Sequence, residues 1–349
     1  MIKVLVVEDS PVMKELLVHI INSDPKLHVI GTASNGEEAV EAVQQLRPDV
    51  ITMDINMPKM DGIEATRRIM ETKPVPIVIV SGNTQAKEVT FSFQMLQAGA
   101  LAVLLRPPGP GHPDYKTEAG KLIQSLKLMS EVKVVKRSPR VKIPSAPRLS
   151  SSLHSNLKAS VGSQIIAIGV STGGPPVLQK ILSGLPKNIP VPLLIVQHIS
   201  AGFVHGFAEW LSGTCNFPVH IATHGEKPFA GHAYIAPDGL HMGVGNNHSI
   251  VLSDHAPENG LRPSVACLFR TVAQVYGRNA TGIILTGMGR DGANELKLMK
   301  ETGAITIAQD KKSSVVHGMP GEAIKIDAVT HILSPEGIIK YLAGMVRNE

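Results

Sequence analysis

At 349 residues, the chain is longer than a single hydrophobic core usually supports, so its length predicts two domains. Hydrophobic residues make up 43% of the sequence but aromatic residues only 3%, which favours aliphatic cores of the kind found in parallel sheets. The formal net charge of +5 is mild and indicates scattered surface lysine and arginine rather than nucleic-acid binding.

The sequence carries no signal for export or membrane insertion. The apolar run at the N-terminus is short and ends at Glu8 and Asp9, unlike the core of a signal peptide. No apolar stretch approaches the ~20 residues that a membrane helix requires. The two cysteines, Cys215 and Cys267, have no zinc-binding spacing and fit a reducing compartment. We therefore expect a soluble cytoplasmic protein.

Residues 1–130 alternate short apolar runs with amphipathic stretches, five of each. This alternation predicts an α/β domain with a five-stranded, doubly wound parallel sheet. The predicted strands are 2–7, 27–31, 50–53, 77–80 and 101–105, and the predicted helices are 13–21, 37–46, 63–70, 88–97 and 117–129.

The pattern stops over residues 131–162. Pro139, Pro144 and Pro147 stand among serine, lysine and arginine, and no acidic residue lies between Val132 and Gly162. This composition predicts a flexible basic linker. The alternative, that the basic run contacts an acidic partner, stays open.

A second alternation runs from residue 163 to 349 and predicts a second doubly wound α/β domain, Rossmann-like in its layout. Its predicted strands include 165–170, 193–197, 283–286 and 304–308. Two further runs, 232–236 and 249–253, flank glycines and are interpreted as a β-hairpin inserted between parallel units.

Polar side chains follow the first, third and fourth predicted strands of the first domain. Glu8 and Asp9, Asp54 and Ser81 would meet at the carboxyl edge of the sheet, where such folds bind ligands. Three carboxylates there would repel one another unless a hard divalent cation lay among them, and Mg²⁺ suits an oxygen-only site. The alternative treats each as an ordinary polar strand end.

Three motifs of the first domain resemble the receiver domain of two-component response regulators, a flavodoxin-like fold. They are Val-Glu-Asp-Ser-Pro-Val-Met at 7–13, Asp-Ile-Asn-Met-Pro-Lys-Met-Asp-Gly at 54–62 and Val-Ser-Gly at 80–82. The resemblance implies that Asp54 accepts a phosphoryl group from a histidine kinase. It also implies that Mg²⁺ is held by Glu8, Asp9, Asp54 and Asn56. The phosphoryl group would be sensed by Ser81 and Arg106.

Two positions depart from the receiver pattern. Arg106 precedes Pro107 where receivers carry lysine, and Val103 stands where an aromatic residue is often found. Arginine keeps the positive charge but not the geometry of a point-like ammonium. We therefore expect phosphorylation, and the strength of the switch that it drives stays open.

Ser171, His198 and Asp291 each follow an apolar run of the second domain, in glycine-rich or polar turns. Together they supply a hydroxyl nucleophile, an imidazole base and an orienting carboxylate, which is the set that hydrolysis by a serine enzyme needs. Each has a plain alternative: a phosphate-binding glycine loop for Ser171, a buried structural imidazole for His198 and a turn carboxylate for Asp291.

The second domain also resembles the catalytic domain of chemotaxis protein-glutamate methylesterases. The motifs that carry this are at 169–174, 197–198, 234–241, 262–264, 286–293 and 313–320. The resemblance implies the Ser171, His198 and Asp291 triad, with Thr172 and the Met288 backbone near the oxyanion. The order receiver, linker, esterase is that family's layout.

The same resemblance implies what the protein acts on. Its substrates would be glutamyl methyl esters, and also glutamines, on methyl-accepting chemoreceptors. The esterase site would need no cofactor. From the domain order and the flexible linker, we expect the unphosphorylated receiver to cover this site. Ala266 departs from the family, which usually has an acidic residue there, and this puts local substrate contacts in doubt.

Four histidines near the expected hairpin could suggest a metal site. We expect instead scattered surface or partly buried side chains, because the resembling family uses no metal there. They are His220, His224, His232 and His241. Two other functions stay open from the sequence: a non-catalytic regulator whose second domain binds a partner, and a nucleotide-dependent oxidoreductase.

Overall fold

The computed structural model describes residues 1–82, 86–134, 136 and 164–346. Most of the predicted linker, and the basic run in it, lies outside the described residues. Within them, none of the helices has the length and apolar character needed to cross a membrane.

The N-terminal domain has the predicted five-stranded parallel sheet, with strand order β2-β1-β3-β4-β5. Its central strands are buried on both faces, which explains their continuous runs of valine and isoleucine. The strands are β1 (Ile2–Val7), β2 (Leu27–Ala33), β3 (Val50–Met53), β4 (Ile77–Ser81) and β5 (Ala102–Leu105). The helices are α1 (Pro11–Asn22), α2 (Gly36–Leu46), α3 (Gly62–Thr72), α4 (Ala86–Ala98) and α5 (Tyr115–Met129).

Side chains at two of its helix starts fix where those helices begin. Asn35 accepts a hydrogen bond from the backbone N–H of Glu38, and Asp61 accepts one from Glu64. Both satisfy amide groups that have no partner inside the helix. The strand order reverses between β1 and β3, which pair with Val7 opposite Met53. The residues that follow these two strands therefore share the switch point at which ligands bind.

The C-terminal domain has a seven-stranded parallel sheet, with strand order β14-β13-β12-β6-β7-β9-β8, and a separate two-stranded antiparallel sheet. The strands are β6 (Ile165–Val170), β7 (Leu193–Gln197), β8 (Val219–Ile221), β9 (Ala233–Ile235), β10 (His241–Val244), β11 (Ile250–Ser253), β12 (Ala280–Ile284), β13 (Ile305–Gln309) and β14 (His331–Leu333). The helices are α6 (Gly174–Gly184), α7 (Val204–Cys215), α8 (Val265–Tyr276), α9 (Ala293–Glu301), α10 (Met319–Lys325) and α11 (Pro335–Ala343).

The inserted hairpin is present, but the predicted strand 232–236 is not part of it: this run contains β9 instead. The partner of β11 is β10, whereas β9 lies in the large sheet and pairs in parallel with β7. All three residues of β9 are buried, so no alternation of polar and apolar residues marks which sheet it joins. A short apolar run of this kind cannot be placed by its pattern alone.

The two domains pack directly against each other through helix α4. The ring of Phe93 on α4 lies 5.1 Å from that of Phe207 and 5.0 Å from that of Trp210, both on α7. Gly206 brings the two helices close, since a Cβ there would lie 2.3 Å from a methyl carbon of Val89. Gln97 also donates a hydrogen bond of 2.8 Å to the side chain of Gln179 on α6. The hydrophobic core is therefore continuous across the domain boundary.

Candidate functional site

Ser171 follows the central strand β6 in a tight turn that begins helix α6. Its backbone N–H donates to the carbonyl of Thr286, and its own carbonyl accepts from Gly174. Gly173 in this turn has a φ of 75°, a conformation that favours glycine. Gly287 also approaches closely, because a Cβ there would lie 2.7 Å from the Cβ of Ser171. The turn thus fixes the hydroxyl-bearing residue from two sides.

His198 lies beside Ser171 because β6 and β7 pair with Val170 opposite Gln197. The N–H of His198 donates to the carbonyl of Val170 at 2.9 Å. The amide of Gln197 donates to the carbonyl of Ser171 at 2.9 Å and to that of His198 at 2.8 Å. Gln197 therefore ties the two strand-end turns together, a role that the sequence reasoning missed although the motif contained the residue.

Asp291 reaches the same place from the turn after β12. It is buried, and its Oδ2 lies 3.0 Å from Nε2 of His198. The carboxylate also accepts backbone N–H hydrogen bonds from Val265 at 2.6 Å and Ala266 at 3.2 Å, the first residues of α8. A helix N-terminus with free N–H groups stabilises a negative charge. The sequence did not reveal this support, because α8 and the Asp291 turn are distant in the chain.

The imidazole of His198 is oriented by that contact. Among the described residues Nε2 makes no well-aligned hydrogen bond, so its contact with Asp291 is electrostatic. With Nε2 facing the carboxylate, Nδ1 is the ring nitrogen left to accept a proton. An imidazole serves as a base near neutral pH, which is the role that a serine nucleophile requires.

Thr172 directly follows Ser171, and Met288 directly follows Gly287, which approaches Ser171 closely. The carbonyl of Thr172 accepts a hydrogen bond of 2.9 Å from the hydroxyl of Thr286. Both Thr172 and Met288 line the same cavity as Ser171 and His198. Their assignment to the oxyanion site stays a prediction.

This cavity has a volume of about 450 Å³ and both domains line it. The hydroxyl of Ser200 contacts the carbonyl of Val103 on β5 at 3.4 Å, so the N-terminal domain forms one wall. The lining residues from that domain lie on or near α4, β5 and α5: Leu96, Leu101, Ala102, Val103, Leu104, Lys121, Gln124, Ser125, Leu128 and Met129.

A second cluster forms at the carboxyl edge of the N-terminal sheet, as predicted. Oxygens of Glu8, Asp9 and Asp54 lie within 4.8 Å of one another. Glu8 and Asp54 are buried, and Asp9 is exposed. Burial, and then the negative charge of Asp54, raises the pKa of Glu8 to about 7. Nη2 of Arg106 pairs with both buried carboxylates, at 3.0 Å from Glu8 and 3.3 Å from Asp54.

Two further predicted residues lie at the end of β4 and just after β3. Ser81 is buried at the end of β4, and its carbonyl accepts a hydrogen bond from the N–H of Arg106. Asn56 is exposed, two residues beyond Asp54. An all-oxygen set of carboxylates and a backbone carbonyl fits Mg²⁺, which prefers oxygen ligands.

Family models match both domains of the chain. Residues 166–342, just over half of the chain, match the CheB methylesterase family, and residues 4–112 match the response regulator receiver domain. The chain belongs to the CheB methylesterase family. The predicted resemblances to receivers and to chemotaxis methylesterases are thereby confirmed, and the acidic cluster lies within the receiver domain.

Two curated relatives extend the similarity over the whole chain. Both are named protein-glutamate methylesterase/protein-glutamine glutaminase. The protein from Nitrosospira multiformis is 57% identical over 99% of this chain and 97% of its own length. The one from Geobacter metallireducens, number 4 of that name, is 53% identical over 99% of both. The similarity to these relatives therefore spans both domains of this chain.

A solved structure agrees with the fold of the methylesterase domain. The crystal structure of the Thermotoga maritima CheB methylesterase catalytic domain is 36% identical, with a TM-score of 0.51. The match covers 53% of this chain and 99% of that domain. The predicted α/β fold class is confirmed for both parts of the chain.

One of the four histidines expected to be at the surface or partly buried is fully buried. This is His241, with Nε2 donating to the carbonyl of Ala256 at 3.2 Å. Its Nδ1 then accepts from Ser264, whose hydroxyl caps α8. This places His241 behind the helix start that supports Asp291. Ala266 is buried in the same helix start and is not among the residues that line the cavity.

Proposed function

We propose that this protein is a protein-glutamate methylesterase and protein-glutamine glutaminase that acts on the helical cytoplasmic region of methyl-accepting chemoreceptors. Ser171 would be the nucleophile, His198 the general base and Asp291 the orienting acid. The observation that carries the proposal is that Ser171 and His198 follow paired strands and line one cavity, while Asp291 contacts the imidazole of His198 at 3.0 Å.

The proposed reaction uses the geometry directly. The hydroxyl of Ser171 attacks the side-chain carbonyl of the ester while Nδ1 of His198 takes its proton. Backbone N–H groups near Thr172 and Met288 would stabilise the resulting oxyanion, at about 3 kcal/mol for each well-placed donor. The imidazolium returns the proton to the departing methanol, and water then hydrolyses the acyl-enzyme. A glutamine side chain follows the same course with ammonia as the leaving group.

The receiver, residues 1–130 in our proposal, would control the esterase of residues 163–349 across the basic linker of 131–162. A chemotaxis histidine kinase would donate a phosphoryl group to Asp54. The residues proposed to hold Mg²⁺ are Glu8, Asp9, Asp54 and the carbonyl of Asn56. When bound, Mg²⁺ would neutralise negative charge on the phosphoryl group. Ser81 and Arg106 would contact the phosphoryl oxygens.

The unphosphorylated receiver would restrict access to the esterase site. Supporting this, α5 and β5 line the cavity that holds Ser171, and α4 packs on the helices that follow β6 and β7. A receptor helix approaching the nucleophile would meet this wall. Asp54 lies beside Arg106, which directly follows β5 and whose N–H donates to the carbonyl of Ser81 at the end of β4. Phosphorylation of Asp54 would loosen the contact through the residues at the ends of those two strands.

The experiment is methanol release from methylated receptor, measured for wild type and S171A, each with and without a small-molecule phosphodonor. We expect release that is lost in S171A and rises with the phosphodonor in wild type. Release that depends on Ser171 but ignores the phosphodonor would support the esterase and contradict the control by the receiver. Absence of release from wild type in both conditions would contradict the enzyme itself and favour a binding regulator.

A further inference from the structure

The acidic cluster of the receiver contains its own positive charge. Nη2 of Arg106 lies 3.0 Å from Oε2 of Glu8 and 3.3 Å from Oδ1 of Asp54. The side chain of Glu8 is 1% exposed and that of Asp54 10%, so the pairing takes place largely away from solvent. The positive charge of this guanidinium therefore offsets the electrostatic repulsion between the two carboxylates.

Gly82 leaves free the space that the guanidinium of Arg106 occupies. It follows β4 directly, and a Cβ built on it would lie 2.9 Å from Nη1 and 3.1 Å from Cζ of Arg106. A side chain at position 82 and the guanidinium in its observed position therefore exclude each other. The planar guanidinium of Arg106 needs space that the smaller ammonium of a lysine would not.

A divalent cation held by Glu8, Asp9 and Asp54 would lie within a few ångströms of this guanidinium, and like charges at that distance repel. We propose that Arg106 is an internal counterion that competes with Mg²⁺ for Glu8 and Asp54, and that Gly82 is the positioning residue that allows it. The inference rests on the proposed function only in taking the acidic cluster as a Mg²⁺ site.

Two consequences follow for this receiver. Its apparent affinity for Mg²⁺ is lower than the same carboxylates would have without the guanidinium between them. Metal binding also releases the guanidinium, whose buried Nε has no hydrogen-bond partner among the described residues. Loading with Mg²⁺ therefore makes the donors of Arg106 available for a phosphoryl group on Asp54.

The test is isothermal titration calorimetry of Mg²⁺ into the full chain at pH 8.5. R106Q is expected to bind Mg²⁺ about tenfold more tightly than wild type, the effect of removing one nearby positive charge. G82A is expected to shift the dissociation constant in the same direction, because its methyl group displaces only the flexible end of Arg106. R67Q, which removes an exposed charge on α3, is the matched control and should match wild type.

A double-mutant cycle tests the link between the two residues. G82A should have no further effect in the R106Q background and little in the R106K background. Additive effects would overturn the role of Gly82, and R106Q that binds no more tightly than wild type would overturn the competition. If no variant bound Mg²⁺, both this inference and the proposed metal site would be contradicted. The methylesterase proposal is tested separately, since methanol release with S171A does not depend on these affinities.

Discussion

Nε2 of His198 lies 3.0 Å from Oδ2 of Asp291, and this contact determines which nitrogen of the imidazole can act as a base. The carboxylate is held in turn by two backbone N–H groups at the start of α8. The orientation of the base thus depends on a helix that contributes no side chain to the reaction.

We expect D291N to lower kcat by about 10³-fold or more, because an amide cannot stabilise the imidazolium and also changes the favoured imidazole tautomer. The substitution is nearly isosteric and can keep one backbone hydrogen bond, so the protein should remain folded. The measurement is kcat for methanol release, with thermal unfolding as the folding check. D254N, which alters an exposed aspartate, is the control. A kcat for D291N within threefold of wild type would contradict the assignment.

Most of the site could be predicted from the sequence because its residues follow buried parallel strands. Apolar runs that end in glycine or polar turns locate strand ends, and parallel strands bring those ends to one edge. Ser171 and His198 were placed side by side on this basis, and the pairing of Val170 with Gln197 agrees. Glu8 and Asp54 were brought together by the same reasoning.

The remaining features depend on contacts between parts of the chain that no local pattern connects. The support of Asp291 by α8, and of α8 by His241, comes from packing between segments distant in sequence. The aromatic contact between α4 and α7 could not be predicted from the sequence either, because a buried phenylalanine can equally well belong to the core of its own domain. The partner of β11 was misjudged because β9 and β10 are both short and buried.

Gly287 is expected to be essential for the position of the nucleophile. A Cβ at this residue would lie 2.4 Å from Sδ of Met319 and 2.7 Å from Cβ of Ser171. G287A should therefore displace the serine and lower kcat about 100-fold, since a shift of ~1 Å in a catalytic group has an effect of that order. The control is G213A on α7, where a Cβ meets nothing within 4 Å. It should leave kcat unchanged and stabilise the helix by up to ~1 kcal/mol.

We expect the contact between α4 and α7 to determine the basal esterase activity, which is the activity of the unphosphorylated protein. F93A removes the ring that packs on both Phe207 and Trp210. Each such aromatic pair contributes ~1 kcal/mol, so the loss of both pairs in F93A, ~2 kcal/mol, should raise the basal rate of methanol release about 30-fold and reduce the stimulation by a phosphodonor. Trp210, the single tryptophan, should report the change as a red-shifted emission.

The matched control for this prediction is F229A, which truncates a phenylalanine that is 69% exposed and outside the contact. It should keep the basal rate and the tryptophan emission of wild type. If F93A changed the emission but not the basal rate, the contact would be loosened without opening the site. That result would contradict control of access through α4.

Glu8 should make the receiver more stable in acid when divalent cations are removed. Burial and the charge of Asp54 raise its pKa from 4.5 to about 7, so the folded protein binds this proton more tightly than the unfolded chain does. The resulting stability is complete below pH ~4.5 and is lost as the pH rises through about 7. In EDTA, the free energy of unfolding of wild type relative to E8Q should fall by about 2 kcal/mol between pH 5 and pH 8.

The measurement for this prediction is urea denaturation of wild type and E8Q at each pH. The control is E15Q, which alters an exposed carboxyl on α1. A difference between wild type and E8Q that stayed constant over this range would show that Glu8 titrates near its ordinary pKa and that the cluster tolerates its full negative charge.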